Sequence, residues 1–168
     1  VEGSIAEYVD LRGASDASVD FYLDPVSVEK TLDTIVECAM EFISLQVKAG
    51  AHCIGIGDAF CSQIGPELYN EFAFKREKIL VDHIHNEGAL AKLHICGDTS
   101  SILPGMISTG ADIIDVDHLV SSMSDFASLL TLHQVFSGKG DPVTVIQDGN
   151  ADKIIKSVKN DFSDSGGR

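Results

Sequence analysis

The chain has 168 residues, 44% of them apolar and 23% charged, a balance that fits one folded domain and excludes a disordered chain. Its formal net charge of −14 excludes a nucleic-acid partner, because binding phosphates requires clustered Lys and Arg. No apolar run is long enough to span a bilayer, and Val1-Glu2-Gly3 lacks the basic start and apolar stretch of a signal peptide, so no membrane partner is expected.

The first helix signal is Asp24-Pro25, where Asp caps free N–H groups and Pro suits the first turn. Val28, Leu32, Ile35, Val36, Ala39, Phe42 and Ile43 then recur on one face, predicting a helix buried along that stripe. It ends at Gly50-Ala51, and an apolar run over His52–Asp58 predicts a strand. Gly65-Pro66 opens a second helix that carries Leu68, Phe72, Ile79, Leu80 and Ile84 towards Gly88. Gly88-Ala89 introduces a second strand, Leu90–Gly97. A shorter helix over Thr99–Thr109, bent or restarted by Pro104, leads to Gly110-Ala111 and a third strand, Asp112–His118. Ser124 caps a short helix. Gln134–Gly138 is a fourth strand before Asp141-Pro142, and Asn150 caps a last helix with Ile154, Ile155, Val158 and Phe162 facing inward. The recurring Gly just past a helix end reflects its freedom to take positive φ.

Short apolar strands alternating with helices specify an α/β fold with a parallel sheet, open or closed into a barrel. Neither a Gly-x-Gly-x-x-Gly fingerprint nor a P-loop is present, which disfavours a nucleotide-binding open sheet. Asp58, Cys96 with Asp98, Asp117 with His118, and Asp141 all fall where strands finish. Barrel enzymes place their reactive groups there, so a (β/α) TIM-barrel type is expected.

Lys92-Leu93-His94-Ile95-Cys96-Gly97-Asp98-Thr99 is the most informative segment. Residues i and i+2 of a strand share a face, so His94 and Cys96 project together while Leu93 and Ile95 pack against helices. An imidazole beside a thiol suits a borderline-soft cation such as zinc; a buried thiol next to a hydrogen-bonded core His is the alternative. Asp58 is read either as a substrate-orienting or acid/base group or as a helix cap. Asp117 and His118 are read either as a proton-transfer pair or as loop-structuring contacts. Asp115 shares the parity of Asp117 and needs a partner inside the fold. Cys38, Cys53, Cys61 and Cys96 form no paired Cys-x-x-Cys pattern, which points to free thiols in a reducing cytoplasm. Cys38 and Cys53 read as core residues, and Cys61 as a semi-buried thiol or substitute ligand. His83 and His85, two apart on a helix, read as solvated; His52 and His133 read as structural.

His94-Ile95-Cys96-Gly97 followed by Gly110-Ala111-Asp112-Ile113-Ile114-Asp115-Val116-Asp117 resembles the methylcobalamin:coenzyme M methyltransferases and their O-demethylase relatives, within the uroporphyrinogen decarboxylase superfamily. Gly55-Ile56-Gly57-Asp58 with Ile64-Gly65-Pro66-Glu67-Leu68-Tyr69-Asn70-Glu71-Phe72 adds to the likeness, as does Ser137-Gly138 to Asp141-Pro142. It runs through nearly the whole chain and implies a single domain, residues 1–168, forming the C-terminal portion of a barrel with about four to five βα units. The resemblance implies zinc held by His94 and Cys96 with a later Cys, and catalytic roles at Asp58, Asp117 and His118. It also implies methyl transfer with a corrinoid (methylcobalamin), free or on a partner protein, and a thiol or methoxylated small molecule. A uroporphyrinogen decarboxylase-type lyase, or an inactive barrel portion within an assembly, are the rival expectations. The chain departs from the family pattern at Asp98, within Lys139-Gly140, and in reaching only Gly166-Gly167-Arg168 before the expected third ligand. A complete barrel takes about 250 residues, so open strand edges predict self-association.

Overall fold

The structure is a computed structural model and describes residues 1–167; Arg168, the last residue of the Gly-Gly-Arg segment, lies outside the described residues. Strands β1 (Cys53–Gly57), β2 (Leu90–Ile95), β3 (Ile113–Val116) and β4 (Val135–Gly138) lie side by side in chain order, all parallel, as the alternation of strands and helices predicts. Ile54, Ile56, Leu93, Ile95, Ile114, Val116 and Phe136 are buried on one side of the sheet. The opposite side carries a register row Gly57–His94–Asp115–Ser137. Val1–Gly3 extends the sheet past β1, with Gly3 N–H donating to Gly57 O at 2.7 Å and Gly57 N–H to Val1 O at 3.0 Å.

Two helices precede the first predicted one. α1 (Ser4–Arg12) and α2 (Ala14–Leu23) meet at Gly13, whose φ of 88° turns the chain between them. They bury Ile5, Tyr8, Ala17 and Phe21, and the Phe21 ring lies 5.1 Å from that of Phe72. α3 (Pro25–Lys48) starts as expected, with the Asp24 side chain accepting from Ser27 N–H at 3.2 Å. Val28, Leu32, Val36 and Ile43 are its buried stripe, but Phe42 points outward and is 56% exposed.

Between β1 and β2 the helix begins earlier than Gly65-Pro66 suggests. α4 (Cys61–Leu68) breaks at Gly65, where φ is 78°, passes through a π turn over Tyr69–Ala73, and continues as α5 (Phe74–Asn86). α6 (Leu103–Ser108) is shorter than predicted, and Pro104 occupies its first turn, where a missing N–H costs nothing. The segment after Ser124 forms only a 3-10 turn over Ala127–Leu129. The loop after β4 is a π turn over Pro142–Gln147, begun by the Asp141 carboxylate accepting from Val143 and Thr144 N–H, both at 2.9 Å.

α7 (Ala151–Asp164) is capped as predicted, with the Asn150 side chain accepting from Lys153 N–H at 3.0 Å. Its apolar stripe is not inward: Ile155, Val158 and Phe162 are exposed, and the stripe borders a groove with Phe136 and Ile146. The periodicity is right, but nothing among the described residues fills that groove.

Candidate functional site

His94 and Cys96 emerge together on the open face of β2, with His94 Nε2 3.0 Å from Cys96 Sγ. The other ring nitrogen, Nδ1, lies 3.2 Å from Asp115 Oδ2, and the same carboxylate oxygen pairs with Lys92 Nζ at 2.7 Å. The register that sets His94 beside Asp115 creates this arrangement. Asp115 therefore has the partners its buried position demands, and Lys92 is a site residue that the linear reading passed over. Its parity with His94 was the available signal. The Cys96 thiol is pushed above its ordinary value by burial first, then by the negative charges of Asp117 and Asp115.

The loop after β3 sits against the same site. Asp117 Oδ2 accepts from Gly97 N–H at 2.9 Å, and Oδ1 accepts from His118 N–H at 2.6 Å and pairs with His118 Nδ1. Burial pushes the Asp117 carboxyl up, but the Gly97 and His118 hydrogen bonds outweigh it and hold its pKa below the ordinary carboxylate value. Gly97 takes φ of 92°, and a Cβ there would lie 2.8 Å from Ser62 Oγ, so the turn after Cys96 requires Gly. Asp98 turns back on its own loop, accepting from Ser100 N–H at 3.1 Å and Ser100 Oγ–H at 2.6 Å.

Asp58 lies elsewhere. It follows β1 with the parity of the buried residues Ile54 and Ile56, is fully buried, and accepts from Ala6 N–H at 2.7 Å beneath α1. Its backbone N–H donates to His94 O at 3.0 Å, which ties the two strand ends together without bringing its carboxyl to the open face. Gly3 permits the docking, because a Cβ there would lie 2.3 Å from Asp58 Cγ.

Around Asp58 the structure assembles a buried group unforeseen in the linear reading. Cys61 Sγ lies 3.9 Å from Glu77 Oε1, and Tyr69 O–H donates to Glu77 Oε2 at 2.5 Å. Burial pushes the Asp58 carboxyl up to about 7 and the Glu77 carboxyl up to about 8, and raises the Cys61 thiol and the Tyr69 phenol as well. Cys61 is thus completely buried, whereas Cys38 and Cys53, expected in the core, are exposed. Cys38 falls on the outer part of the long α3 stripe, and Cys53 faces the open side of the sheet. Glu77 was missed because Glu on a helix reads as a surface charge. Its position four after Ala73 and three before Leu80 was the signal that it joins the buried stripe.

The histidines expected to be solvated are tethered instead. His83 Nε2 lies 2.9 Å from Ser44 Oγ and 3.0 Å from Met40 O, joining α5 to α3. His85 Nε2 is 2.8 Å from Asp112 Oδ2, whose other contact is Ala91 N–H at 2.8 Å. Long-range partners, invisible to local periodicity, decide both cases.

His94 and Cys96 supply a nitrogen and a sulfur donor suited to zinc. The donor types fit that ion and the two atoms share one face in hydrogen-bond contact, with further ligands to come from outside this pair. The three-donor group that converges among the described residues is the other one, Asp58, Cys61 and Glu77. Among those residues no helix is long and apolar enough to cross a membrane.

The sequence model of the uroporphyrinogen decarboxylase (URO-D) family matches residues 4–166. A uroporphyrinogen decarboxylase from Prochlorococcus marinus subsp. pastoris is 28% identical over 144 residues, 84% of this chain and 40% of that protein. The methylcobamide:CoM methyltransferase MtbA of Methanosarcina mazei is 30% identical over 134 residues, 79% of this chain and 39% of that protein. A solved methyltransferase from Methanosarcina mazei superposes with a TM-score of 0.85 at 22% identity, covering 96% of this chain and 48% of its own. The likeness identifies the fold as part of a parallel α/β barrel, and the chain spans about 40% of the length of the curated relatives it matches.

Proposed function

The chain belongs to the uroporphyrinogen decarboxylase family, and from that premise we propose that it carries the metal-binding half of a zinc-dependent, corrinoid-linked methyltransferase. The observation that carries this reading is the joint projection of His94 Nε2 and Cys96 Sγ, in contact at 3.0 Å, on the open face of the sheet. The similarity to a protein named for methylcobamide and CoM supports it. The partners are then a methylated corrinoid, free or on a second protein, and a thiol or methoxylated small molecule. A reducing cytoplasm suits the four free thiols.

Zinc bound there would stabilise a thiolate, or polarise an ether oxygen, at neutral pH. The chain's own residues prepare the site. The main-chain O of Asp115, by accepting from His94 Nδ1–H at 3.2 Å, selects the tautomer whose Nε2 lone pair faces Cys96, and the Asp115 carboxylate lies beside the same ring. Lys92 balances the Asp115 charge. Asp117 holds His118 through its backbone and its ring, so His118 is the group placed to take the proton released by an incoming thiol. Asp58, buried on the far side, positions the end of β1 against β2 rather than touching substrate.

The test is zinc content together with loss of methylcobalamin absorbance in the presence of a thiol. His94→Ala and Cys96→Ala should each lose one equivalent of zinc relative to the parent and abolish thiol-dependent demethylation. Unchanged zinc in both variants overturns the assignment. Decarboxylation is the second reading, favoured by decarboxylase relatives at 28% identity. Turnover of a porphyrinogen by metal-free protein would select it.

A further inference from the structure

We propose that Asp58, Cys61 and Glu77 form a second, structural site for a divalent cation of the zinc class, separate from His94 and Cys96. One donor atom from each of the three residues lies within 4.8 Å of the other two, and all three side chains are buried. A thiol sulfur and two carboxylate oxygens are the mixed donor set that a borderline divalent ion accepts.

Two further observations point to a ligand. Asp58 Oδ2 is buried without a hydrogen-bond partner, although its twin Oδ1 accepts from Ala6 N–H. Neither carboxyl has a cationic partner among the described residues. The nearby Arg76 guanidinium is spent on Asp33, Phe72 O and Glu29 O. Buried carboxyls ordinarily pair with a cation or bind a metal. Tyr69 O–H holds Glu77 Oε2 and leaves Oε1 towards Cys61, the outer-sphere contact that aims a ligating carboxylate.

The three donors come from the turn after β1 (Asp58), the first residue of α4 (Cys61) and α5 (Glu77). A cation there cross-links strand end, turn and helix, and it steadies the peptide whose N–H donates to His94 O. It enters during folding, because the trio has no exposure afterwards. Binding releases the Cys61 thiol proton and any proton held by the two carboxyls to solvent; no redox change is involved.

The experiment uses the His94→Ala/Cys96→Ala double variant, which removes the first candidate site. It is refolded from denaturant with cobalt(II) and, in parallel, with zinc, and the metal is counted after desalting. The expected result is one equivalent of metal, with a near-ultraviolet cobalt–thiolate band. On that background Cys61→Ser should abolish the band, and Glu77→Gln should weaken binding at least tenfold in a chelator competition. Folding of every variant is followed by far-ultraviolet circular dichroism. A folded double variant without metal overturns the proposal, as does a thiolate band that survives Cys61→Ser. Should Glu77→Gln fail to fold, the Cys61→Ser comparison decides alone. Loss of metal from the parent's first site leaves this outcome unaffected.

Discussion

Asp115 lies between two bases, Lys92 and His94, and its charge serves both. Asp115→Asn keeps the shape and the main-chain acceptor of His94 Nδ1–H but removes the negative charge beside the ring and leaves Lys92 uncompensated, so zinc affinity at the first site should fall about 10–100-fold. Competition with a chromogenic chelator measures it, and affinity equal to the parent's would remove Asp115 from the site. A second prediction concerns Asp58 and Glu77, whose values rise to about 7 and about 8, chiefly through burial. Ordinary carboxyls ionise near about 4. Between those limits the folded, metal-free chain keeps protons that the unfolded chain has lost. Stability from this source is therefore full below about pH 4, declines as pH rises, and is gone above about pH 8. Urea midpoints of Glu77→Gln should fall less than the parent's between pH 5 and pH 8.5. Parallel declines would show that Glu77 is not the titrating group.

The way α1 enters over the end of β1 depends on one close approach. Gly3 sits against the Asp58 side chain, where a Cβ would come within 2.3 Å of Cγ. Gly3→Ala forces the buried carboxyl or the helix to shift, an overpacking cost of about 1–3 kcal/mol. Chemical denaturation reads it directly, and an unchanged midpoint would mean that residues 1–3 do not dock on β1. The first two helices were not legible beforehand: their buried residues, Ile5, Tyr8, Ala17 and Phe21, are spread over two short segments broken at Gly13. Each segment is too short to show a stripe. α3 and α7 were legible because Asp24 and Asn150 announce their starts and the apolar positions recur over several turns.

At the scale of the molecule, apolar surface is left facing solvent. Phe162 is 64% exposed on α7, and Val158 and Ile154 lie beside it along the groove with Ile146. The sheet is also open: the strands run β1 to β4 without closing, in a chain that covers 48% of a barrel-type neighbour. Such a stripe at a sheet edge favours association with a second copy or with a complementary barrel segment. Light scattering should give a mass above that of one chain, and Phe162→Glu should shift it towards the monomer. A monodisperse monomer for the parent would rule this out. The same open face leaves His94, Cys96, Asp117 and His118 accessible, so assembly and the candidate site are expected to be coupled.

By itself the sequence determined the order of the four strands, the long helices α3 and α7, the parallel sheet, and the common face of His94 and Cys96. All of these follow from local periods, two residues for a strand and 3.6 for a helix, and from capping residues. Only the tertiary structure decided which distant groups meet. The register of β2 on β3 brings Asp115 to His94, and the packing of α5 against the turn after β1 brings Glu77 to Cys61 and Asp58. It also decided that Phe42 and Phe162 face solvent although their periodicity points inward. A periodic pattern states which face is apolar; whether another element covers that face depends on the path of the rest of the chain.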